Sequence, residues 1–406
     1  MGNFTAKKPK NIRENNAKLL LSLYTKSKSL SVSQLTKRLQ LSKTTLFKIN
    51  DQLVASSLVL PEGKGSASLV GGKRPELYAL NKDYGYVLCY HIQYQSIQVQ
   101  LMNMRLETVV SLQVPIETDL DIHSVCMKMK ELHEQVRIEQ PLIHLLGVVV
   151  SVHALVDAKN GICLHATRFP SWGLNIPLAS LISTTLQVDV EVFVDSWIQY
   201  KTLDISAFIE QEYHTNRFLL IDAGKYGVVA GIPSHLEGEP LYAGEVGHMI
   251  VNPYDEGVCR CGGRGCLESM LDYDRILQRA RSLQKEYPDS LLFTADTLDM
   301  QHIFSSFQAD DPLSVLLMEE VAHWLSIALS NINLMFFSHL VVFEGDFCSA
   351  GPKWEQMLRE KTDNISMVRM KNKLKLVFHA TSEDEILHGS ALWVRNRSIQ
   401  NLQLAP

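Results

Sequence analysis

The sequence predicts an α/β protein with a small domain of helices and a β-hairpin at its N-terminus. Apolar residues recur at helical spacing in three segments of residues 11–57, and two short apolar strands follow around a glycine-rich connection. Further along the chain, short apolar strands alternate with amphipathic helical patterns, which is typical of an α/β fold. A length of 406 residues suits two or three domains.

The N-terminal segment is strongly basic. Residues 1–82 carry 15 lysines and arginines against four acidic residues, a balance of +11, whereas the other 324 residues have a balance of −16. A basic end on an acidic body favours contact between that end and a polyanion. A solvated, lysine-rich surface is the alternative interpretation of the charge alone.

The composition is that of a soluble globular protein, with 46% apolar and 20% charged residues. The sequence has no run of 18 apolar residues, and its start, MGNFTAKKPKN, lacks the apolar core of a secretory signal. We therefore expect no membrane insertion and a cytoplasmic location. There, four scattered cysteines are expected to be buried thiols: Cys89, Cys126, Cys163 and Cys348.

Three N-terminal segments carry the apolar periodicity of helices. The first, NIRENNAKLLLSLYTKS, repeats Ile12, Leu19, Leu20, Leu23 and Tyr24. The second, SVSQLTKRLQL, begins at a serine-rich cap and is short. Ser42 caps the third, SKTTLFKINDQLVASS, whose apolar face comprises Leu46, Ile49, Leu53 and Val54. Few residues separate the second helix from the third, which is helix-turn-helix geometry.

A β-hairpin is predicted directly after these helices. LVLPEG and ELYAL are its strands, and the connection GKGSASLVGGKRP is rich in glycine and basic residues. A hairpin after a helix-turn-helix makes a winged helix, whose third helix would enter the major groove of DNA. The residues expected to contact DNA are Lys43, Thr44, Thr45 and Lys48 of that helix and Lys73 and Arg74 of the wing. A small protein-docking domain is the alternative.

Residues 244–269, GEVGHMIVNPYDEGVCRCGGRGCLES, crowd three of the seven cysteines between glycines. Cys259, Cys261 and Cys266 with the upstream His248 form a Cys₃His set, which structural zinc accepts in a closed tetrahedron. The glycines let the chain fold tightly enough for the sulfurs to converge. A redox dithiol is the alternative, but it normally uses Cys-x-x-Cys and has no place for a third thiol. We predict one structural zinc ion per chain.

The same stretch resembles the signature of the ROK family, whose name joins repressors, open reading frames and sugar kinases. G-E-V-G-H followed by C-R-C-G-G-R-G-C-L-E carries the resemblance, which extends across essentially the whole chain. It implies an actin-like (ribonuclease H-like) two-lobed body of the sugar-kinase type, with zinc on the four residues named above. The winged helix places the chain with the family's repressors, because the kinases usually lack that domain.

The resemblance also sets the expected domain boundaries. The winged helix-turn-helix domain takes residues 1–82, the first lobe takes residues 83–195 with 381–406, and the second lobe with the zinc loop takes residues 196–380.

The phosphate loops of the family's kinases are degenerate in this sequence. The kinases need an early Asp-x-Gly loop and a Thr-Gly-x-Gly-x-Gly loop, because both present backbone N–H groups to phosphate oxygens. Residues 89–94 read CYHIQY, with neither aspartate nor glycine. Residues 222–228 read DAGKYGV, where Tyr226 and Val228 obstruct close approach. We therefore predict that the protein is not an enzyme.

The resemblance implies a sugar-binding set of Asp195, Glu245, His248 and Glu268. Carboxylates suit this task because each accepts two hydroxyl hydrogen bonds. The asparagine that precedes the family's aspartate is Val194 here, and His153-Ala154 replaces a Pro-Gly pair, which changes the floor of the pocket. Purely structural roles for Asp195 and Glu268 are the alternative.

Together these features predict a sugar-responsive repressor that binds operator DNA as a homodimer or higher homo-oligomer. Its expected effector is a monosaccharide or a sugar phosphate, which acts by preferring one arrangement of the lobes. Two alternatives stay open: an active sugar kinase with an added DNA-binding domain, and a repressor controlled by a protein partner.

Overall fold

The computed structural model describes residues 9–65, 74–117, 119–166, 169–194, 209, 212–215, 218–224, 227–232, 242–294, 297–336, 340–365, 374–379 and 383–402. Lys73 and Asp195, predicted to bind DNA and sugar, lie outside these residues, as does Tyr226. The contacts divide the chain into two units. Unit 1 is Met1–Ser151, Leu178–Val192 and Ser390–Pro406, and unit 2 is Val152–Pro177 and Phe193–Gly389.

The first part of unit 1 is a winged helix-turn-helix. Its helices are α1 (Pro9–Thr25), α2 (Val32–Leu39) and α3 (Lys43–Ala55). Its strands are β1 (Leu30–Ser31), β2 (Val59–Lys64) and β3 (Glu76–Leu80), which form an antiparallel sheet in the order β1-β3-β2. The predicted hairpin strands are therefore confirmed.

Side-chain caps fix the turn between α2 and α3. Ser31 and Gln34 form a capping box at the start of α2, and Gln40 ends that helix in the left-handed region at φ 55°. Ser42 Oγ then accepts a hydrogen bond of 3.1 Å from the backbone N–H of Thr45. A short connection with both ends capped holds α3 at a defined angle to α2.

The apolar periodicity of α1 coincides only partly with its buried stripe. In α1, Ala17, Leu20, Leu21 and Tyr24 are buried, whereas Ile12 and Leu19 are 49% and 52% exposed. With 3.6 residues per turn, Ile12 and Leu19 lie on the side of α1 opposite the buried stripe and so are not part of the core. Tyr24 Oη donates a 2.6 Å hydrogen bond to Asn50 Oδ1 and thereby joins α1 to α3.

The rest of unit 1 is built on a five-stranded sheet in the order β11-β7-β4-β5-β6. Its strands are β4 (Tyr86–Ile92), β5 (Ser96–Asn103), β6 (Thr108–Pro115), β7 (Leu145–Val152) and β11 (Val190–Val194). Strands β4, β5 and β6 form an antiparallel meander. The helices of this part are α4 (Ile122–Glu139), α5 (Leu178–Leu186) and most of the C-terminal helix, Glu383–Gln400.

Unit 2 contains a small antiparallel sheet of β8 (Leu155–Asp157), β9 (Ile162–His165) and β10 (Leu174–Ile176), with β9 in the middle. Its larger sheet has the order β14-β13-β12-β15-β16. These strands are β12 (Leu219–Gly224), β13 (Gly227–Ile232), β14 (Tyr242–Gly244), β15 (Leu340–Glu344) and β16 (Lys375–Phe378). Numbered along the chain, both five-stranded sheets have the strand order third, second, first, fourth, fifth.

Helices cover the larger sheet of unit 2. They are α6 (Leu267–Met270), α7 (Tyr273–Ser282), α8 (Met300–Gln308), α9 (Pro312–Phe336) and α10 (Pro352–Ile365). The C-terminal helix, Glu383–Gln400, most of which belongs to unit 1, is named α11. By length and composition α9 is apolar enough to cross a membrane, with a mean hydropathy of 1.3. Its Leu317, Val321 and Leu325 are buried in the core of unit 2, so α9 packs as a core helix.

Candidate functional site

Four side chains of unit 2 converge on one point. His248, Cys259, Cys261 and Cys266 each offer one donor atom, and these atoms all lie within 4.8 Å of one another. Cys259 and Cys266 are buried, His248 is half-buried and Cys261 is exposed. The structure therefore brings together the four residues that the sequence singles out, and the cluster could hold a metal ion.

Two of the distances between the donor atoms are close to the edges of a tetrahedral zinc site. Cys261 Sγ and Cys266 Sγ are 3.7 Å apart, and Cys259 Sγ is 3.7 Å from His248 Nδ1. With Zn–S bonds of about 2.3 Å and a Zn–N bond of about 2.0 Å, the edges of a tetrahedron are about 3.8 Å between sulfurs and about 3.5 Å between sulfur and nitrogen. Thiols and an imidazole are soft or borderline donors, which bind zinc better than they bind harder cations such as magnesium or calcium.

Backbone hydrogen bonds fold residues 249–269, the cysteine segment, into a compact loop. Gly262 N donates to Cys259 O and Cys259 N donates to Gly263 O, both at 2.8 Å. Gly265 has φ +73°, and a Cβ there would lie 2.0 Å from Asn252 O, so only glycine fits this position. The glycines thus allow the chain to reverse tightly enough for the sulfurs to face one another.

Two ion pairs attach this loop to the start of α7. Arg275 forms a bidentate pair with Asp255, with both N···O distances at 2.8 Å, and Arg260 lies 3.4 Å from Asp272. The Arg275 guanidinium holds the pKa of the Asp255 carboxyl below its usual range.

A cavity of about 120 Å³ lies beside the cluster and entirely within unit 2. Polar side chains from three places line it: the cysteine segment, the turn after β14 and the sheet β8-β9-β10. The lining residues are His153, Ala154, Leu155, His165, Val228, Val229, Glu245, His248, Cys261 and Glu268. Three of the four residues expected to contact sugar are therefore in the wall of one cavity.

Each carboxylate of the cavity is one turn from a cluster residue. Cys266 is the N-cap of α6, and Glu268 lies in the first turn of that helix. Glu245 is the N-cap of a 3₁₀ turn that ends at His248, whose N–H donates to Glu245 O at 3.0 Å. A metal ion on His248 and Cys266 would consequently fix the position of both carboxylates.

Close packing brings the two carboxylates near each other. A Cβ on Gly247 would lie 2.7 Å from Val228 O and 3.1 Å from Glu268 Oε2, so the absence of a side chain there makes room for Glu268. Burial raises the pKa of the Glu245 carboxyl, which the nearby His248 opposes and the nearby Glu268 reinforces. The site can therefore accept several hydrogen bonds from hydroxyl groups in a small volume.

His153 and His165 are site residues that the sequence analysis did not assign. His165 is in the central strand β9, where it pairs with Leu155 of β8 and Leu174 of β10. His153 comes just before β8, at the position where the family has Pro-Gly. The signal in the sequence was only that departure at His153, because β9, which carries His165, is a short strand with a weak pattern.

The candidate DNA-binding residues lie on the exposed surface of the winged helix. Lys43, Thr44, Thr45 and Lys48 of α3 and Arg74 at the described edge of the wing are all exposed. Thr45 Oγ1 lies 2.8 Å from Ser42 Oγ, so its hydroxyl also takes part in the helix cap.

Phe47 is an additional exposed residue of α3, with 47% of its surface accessible. It lies between the exposed Thr44 and Lys48 and off the apolar stripe that the sequence analysis identified, which is why it was missed. A surface aromatic ring beside cations is suited to apolar contact with a thymine methyl group.

Comparison with known proteins first defines the class. A crystal structure of a ROK family transcriptional regulator, described as a homolog of the Mlc protein of Escherichia coli, superposes with a TM-score of 0.74 at 20% identity over 96% of this chain and 97% of that one. A glucokinase of Streptomyces griseus, solved with glucose and AMPPNP, superposes with a TM-score of 0.59 over 76% of this chain and 98% of that one, at 18% identity. The fold is therefore a winged helix joined to the actin-like two-lobed body.

The chain belongs to the ROK family. The family model matches residues 96–397, most of the chain. Among curated relatives, the xylose repressor of Caldicellulosiruptor bescii is 24% identical over 384 residues, which cover 93% of each chain. The glucokinase of Thermotoga maritima is 26% identical over 255 residues, covering 60% of this chain and 77% of that protein. The family resemblance of the cysteine segment is thereby confirmed.

Proposed function

We propose that this protein is a sugar-responsive transcriptional repressor of carbohydrate uptake or catabolism genes. The observation that carries the proposal is one chain with both an exposed, cationic α3 and a cavity lined by Glu245, His248 and Glu268. A full-length relative is named a xylose repressor, and the solved regulator also spans nearly the whole chain. The operator would be read by a cytoplasmic homodimer, because two winged helices match a symmetric site.

The structural metal of this proposal is one zinc ion per chain. Its support is the Cys₃His donor set and the 3.7 Å spacing of two pairs of its donor atoms. Bound zinc would supply a cross-link for the loop from His248 to Cys266, in addition to its backbone hydrogen bonds, its two ion pairs and the burial of Val251 in the core. The cross-link would keep Glu245 and Glu268 at the spacing that a sugar requires.

The effector of this proposal is a sugar whose hydroxyl groups donate to Glu245 and Glu268, with His153 and His165 as further polar residues of the cavity wall. Imidazole nitrogens can donate or accept, so they suit hydroxyl groups of either orientation. Asp195, which lies outside the described residues, stays a proposed fourth member of the set on the family resemblance alone. The sugar would bind more tightly to the arrangement of the protein that binds the operator weakly, and would thereby lower the affinity for the operator.

The absence of kinase activity is also part of the proposal, and the end of β12 supports it. Gly224 is the glycine that could approach a phosphate group, but a Cβ there would lie 2.9 Å from Asp346 Oδ2. Tyr273 Oη donates a 2.8 Å hydrogen bond to the same oxygen and fixes the carboxylate in place. A fixed negative charge at this position opposes the binding of nucleotide phosphates.

We expect ATP with magnesium to leave the melting temperature of the protein unchanged and no common hexose to be phosphorylated. The measurements are a thermal-shift titration with ATP and a coupled assay for ADP release. A glucokinase of the family, assayed in parallel, serves as the positive control. An ATP-dependent rise of several degrees would show that the end of β12 does bind nucleotide and would favour the kinase alternative.

Replacing Lys43 and Lys48 by alanine is expected to weaken operator binding and to reduce its salt dependence. Each lost phosphate contact removes about 0.9 from the slope of log K against log salt, so the double variant should lose about two units. Fluorescence anisotropy with an operator selected from random duplex DNA measures both quantities. Lys130→Ala, at an exposed lysine of α4, is the matched control. An unchanged slope would remove α3 from the DNA interface.

The same DNA assay distinguishes the sugar-responsive repressor from a repressor controlled by a protein partner. A panel of neutral monosaccharides and sugar phosphates is added to the complex of full-length protein and operator. Release of DNA by one of them supports the cavity as an effector site, whereas release by none favours the protein partner.

A further inference from the structure

Two residues from outside the winged helix, Met104 and Ile399, are buried in the hydrophobic core of the winged helix. Met104, which follows β5, is 2% exposed and belongs to the same buried cluster as Leu20, Leu46 and Leu53 of the winged helix. Ile399 of α11 is buried in that cluster as well. Separating the winged helix from the sheet would therefore expose apolar side chains on both sides, which opposes free movement of the domain.

The turn that carries Met104 is rigidly constructed. Asn103 is buried, and its Oδ1 accepts hydrogen bonds from the N–H groups of Arg105 at 2.9 Å and Glu107 at 3.1 Å. Its Nδ2 donates to Glu107 Oε2 at 2.9 Å. Leu106 completes the turn in the left-handed region at φ 62°. One side chain thus organises the turn between β5 and β6 and fixes the direction of its tip.

The tip of this turn also makes polar contacts with the winged helix and with α11. Arg105 Nη2 donates a 2.8 Å hydrogen bond to the carbonyl of Lys28, in the connection between α1 and β1. The buried Arg395 of α11 donates from Nη1 to Met104 O at 3.4 Å. Residues 104 and 105 therefore touch the DNA-binding domain through one apolar and one charged side chain.

The covalent connection between the two parts is tied down as well. Asn81 donates from Nδ2 to Ser57 O at 2.8 Å and from its backbone N to Leu58 O at 2.9 Å. Met104 N donates to Lys82 O at 2.9 Å. A Cβ on Gly85 would lie 2.7 Å from the Leu146 side chain, so this end of the connection packs directly on the sheet. The five residues after β3 are consequently unlike a flexible linker.

We propose that Met104 and Arg105 are positioning residues for operator binding. They hold the winged helix against the sheet of unit 1 in one orientation, and so present α3 at a fixed angle. In a symmetric dimer, a fixed angle selects one separation between the two half-sites of the operator. The operator part of this inference rests on the proposed DNA-binding function, whereas the docking of the winged helix rests on the contacts alone.

The first experiment measures the preference for half-site separation. A symmetric operator is selected from random duplex DNA on the wild-type protein, and versions are made with the half-sites moved apart or together by single base pairs. Met104→Ala and Arg105→Ala are expected to bind the selected operator about tenfold more weakly, because bivalent binding depends on geometry. They should bind the shifted versions as well as the selected one, and an isolated half-site as well as the wild type does.

Controls separate positioning from a general loss of stability. Met104→Leu conserves volume and is expected to restore the wild-type preference. Arg137→Ala, at an exposed arginine of α4 in the same unit, should behave as the wild type. Arg105 is only half-buried, so Arg105→Ala keeps the test intact if Met104→Ala fails to fold. The proposal would be overturned if Arg105→Ala, and Met104→Ala where it folds, keep the wild-type preference for one separation of the half-sites.

A second experiment needs no DNA. Spin labels are introduced through unnatural amino acids at the exposed Lys48 of α3 and Lys130 of α4, and the distribution of distances between them is measured in full-length protein. We expect a narrow distribution in the wild type and a broad one in Met104→Ala and Arg105→Ala. Equal widths would overturn the docking role. Failure of the proposed DNA-binding function can be distinguished from failure of the docking role, because the wild-type protein would then enrich no DNA sequence. That result would overturn the operator role of Met104 and Arg105 as well.

Discussion

Replacing Cys266 by serine is expected to remove bound zinc and to abolish the response of operator binding to sugar. Cys266 is both a cluster residue and the N-cap of α6, so its loss frees the turn that positions Glu268. The affinity for the effector should fall by about 10-fold or more, since loss of even an outer-shell partner of a metal ligand costs about 10- to 100-fold in metal affinity or activity. The winged helix should still fold, because its core lies in unit 1.

The measurements for this prediction are elemental analysis and operator affinity with and without sugar. Wild-type protein should contain about one zinc per chain, the content of a single Cys₃His site. Cys126→Ser changes a buried thiol of α4 and is the matched control, which should keep both zinc and response. If zinc only shapes the cavity, Cys266→Ser is a repressor that ignores inducer. A metal-free wild-type protein that binds operator and responds to sugar would contradict the zinc assignment.

Glu268→Gln is expected to weaken effector binding strongly while leaving the fold and the zinc content unchanged. The amide has nearly the shape of the carboxylate but offers one acceptor oxygen in place of two and carries no charge. Hydrogen bonds to charged groups contribute about 1.5–3 kcal/mol, so the dissociation constant should rise by about 10- to 150-fold. Isothermal titration with the sugar that releases the operator measures the change.

The control for this substitution is Glu256→Gln. Glu256 is an exposed glutamate of the same cysteine segment that does not line the cavity, so its loss of charge should leave effector binding as in the wild type. Equal affinities in wild type and Glu268→Gln would mean that the carboxylate has a structural role at Gly247 and Gly227, which it also approaches closely. That result would favour the alternative reading of Glu268.

The metal cluster could be predicted from the sequence because its determinants are local. Four donors within 19 residues and the glycines between them leave few ways to arrange the chain, and the structure has the expected arrangement. The caps of α2 and α3 are local for the same reason, since Ser42 bonds to a residue only three positions away. Local chemistry of this kind is readable without knowledge of the rest of the fold.

The rest of the cavity wall could not be predicted because distant segments form it. His165 faces the cavity through its place in the middle of a three-stranded sheet, and no pattern in the strand ICLH indicates that placement. Strands β13 and β16 also lack a clear strand pattern, since GVVAGI is rich in glycine and KLVF is short. Their identity as strands depends on pairing with β12 and β15.

Docking of the winged helix was likewise not visible in the sequence. A boundary at residue 82 separates the patterns well, but the core of the domain also includes Met104 and Ile399. Tertiary contacts of this range leave no periodic signal near the residues that they join. The division into domains of residues 1–82, 83–195 with 381–406, and 196–380 therefore stays a prediction.

The most direct test is the affinity of the full-length, zinc-loaded protein for its selected operator, titrated with a panel of neutral monosaccharides and sugar phosphates. We expect at least one sugar to lower the operator affinity tenfold or more, and Glu268→Gln to need a much higher concentration of that sugar. A protein that binds its operator with full zinc content and responds to no sugar of the panel would contradict the assignment of the cavity as an effector site.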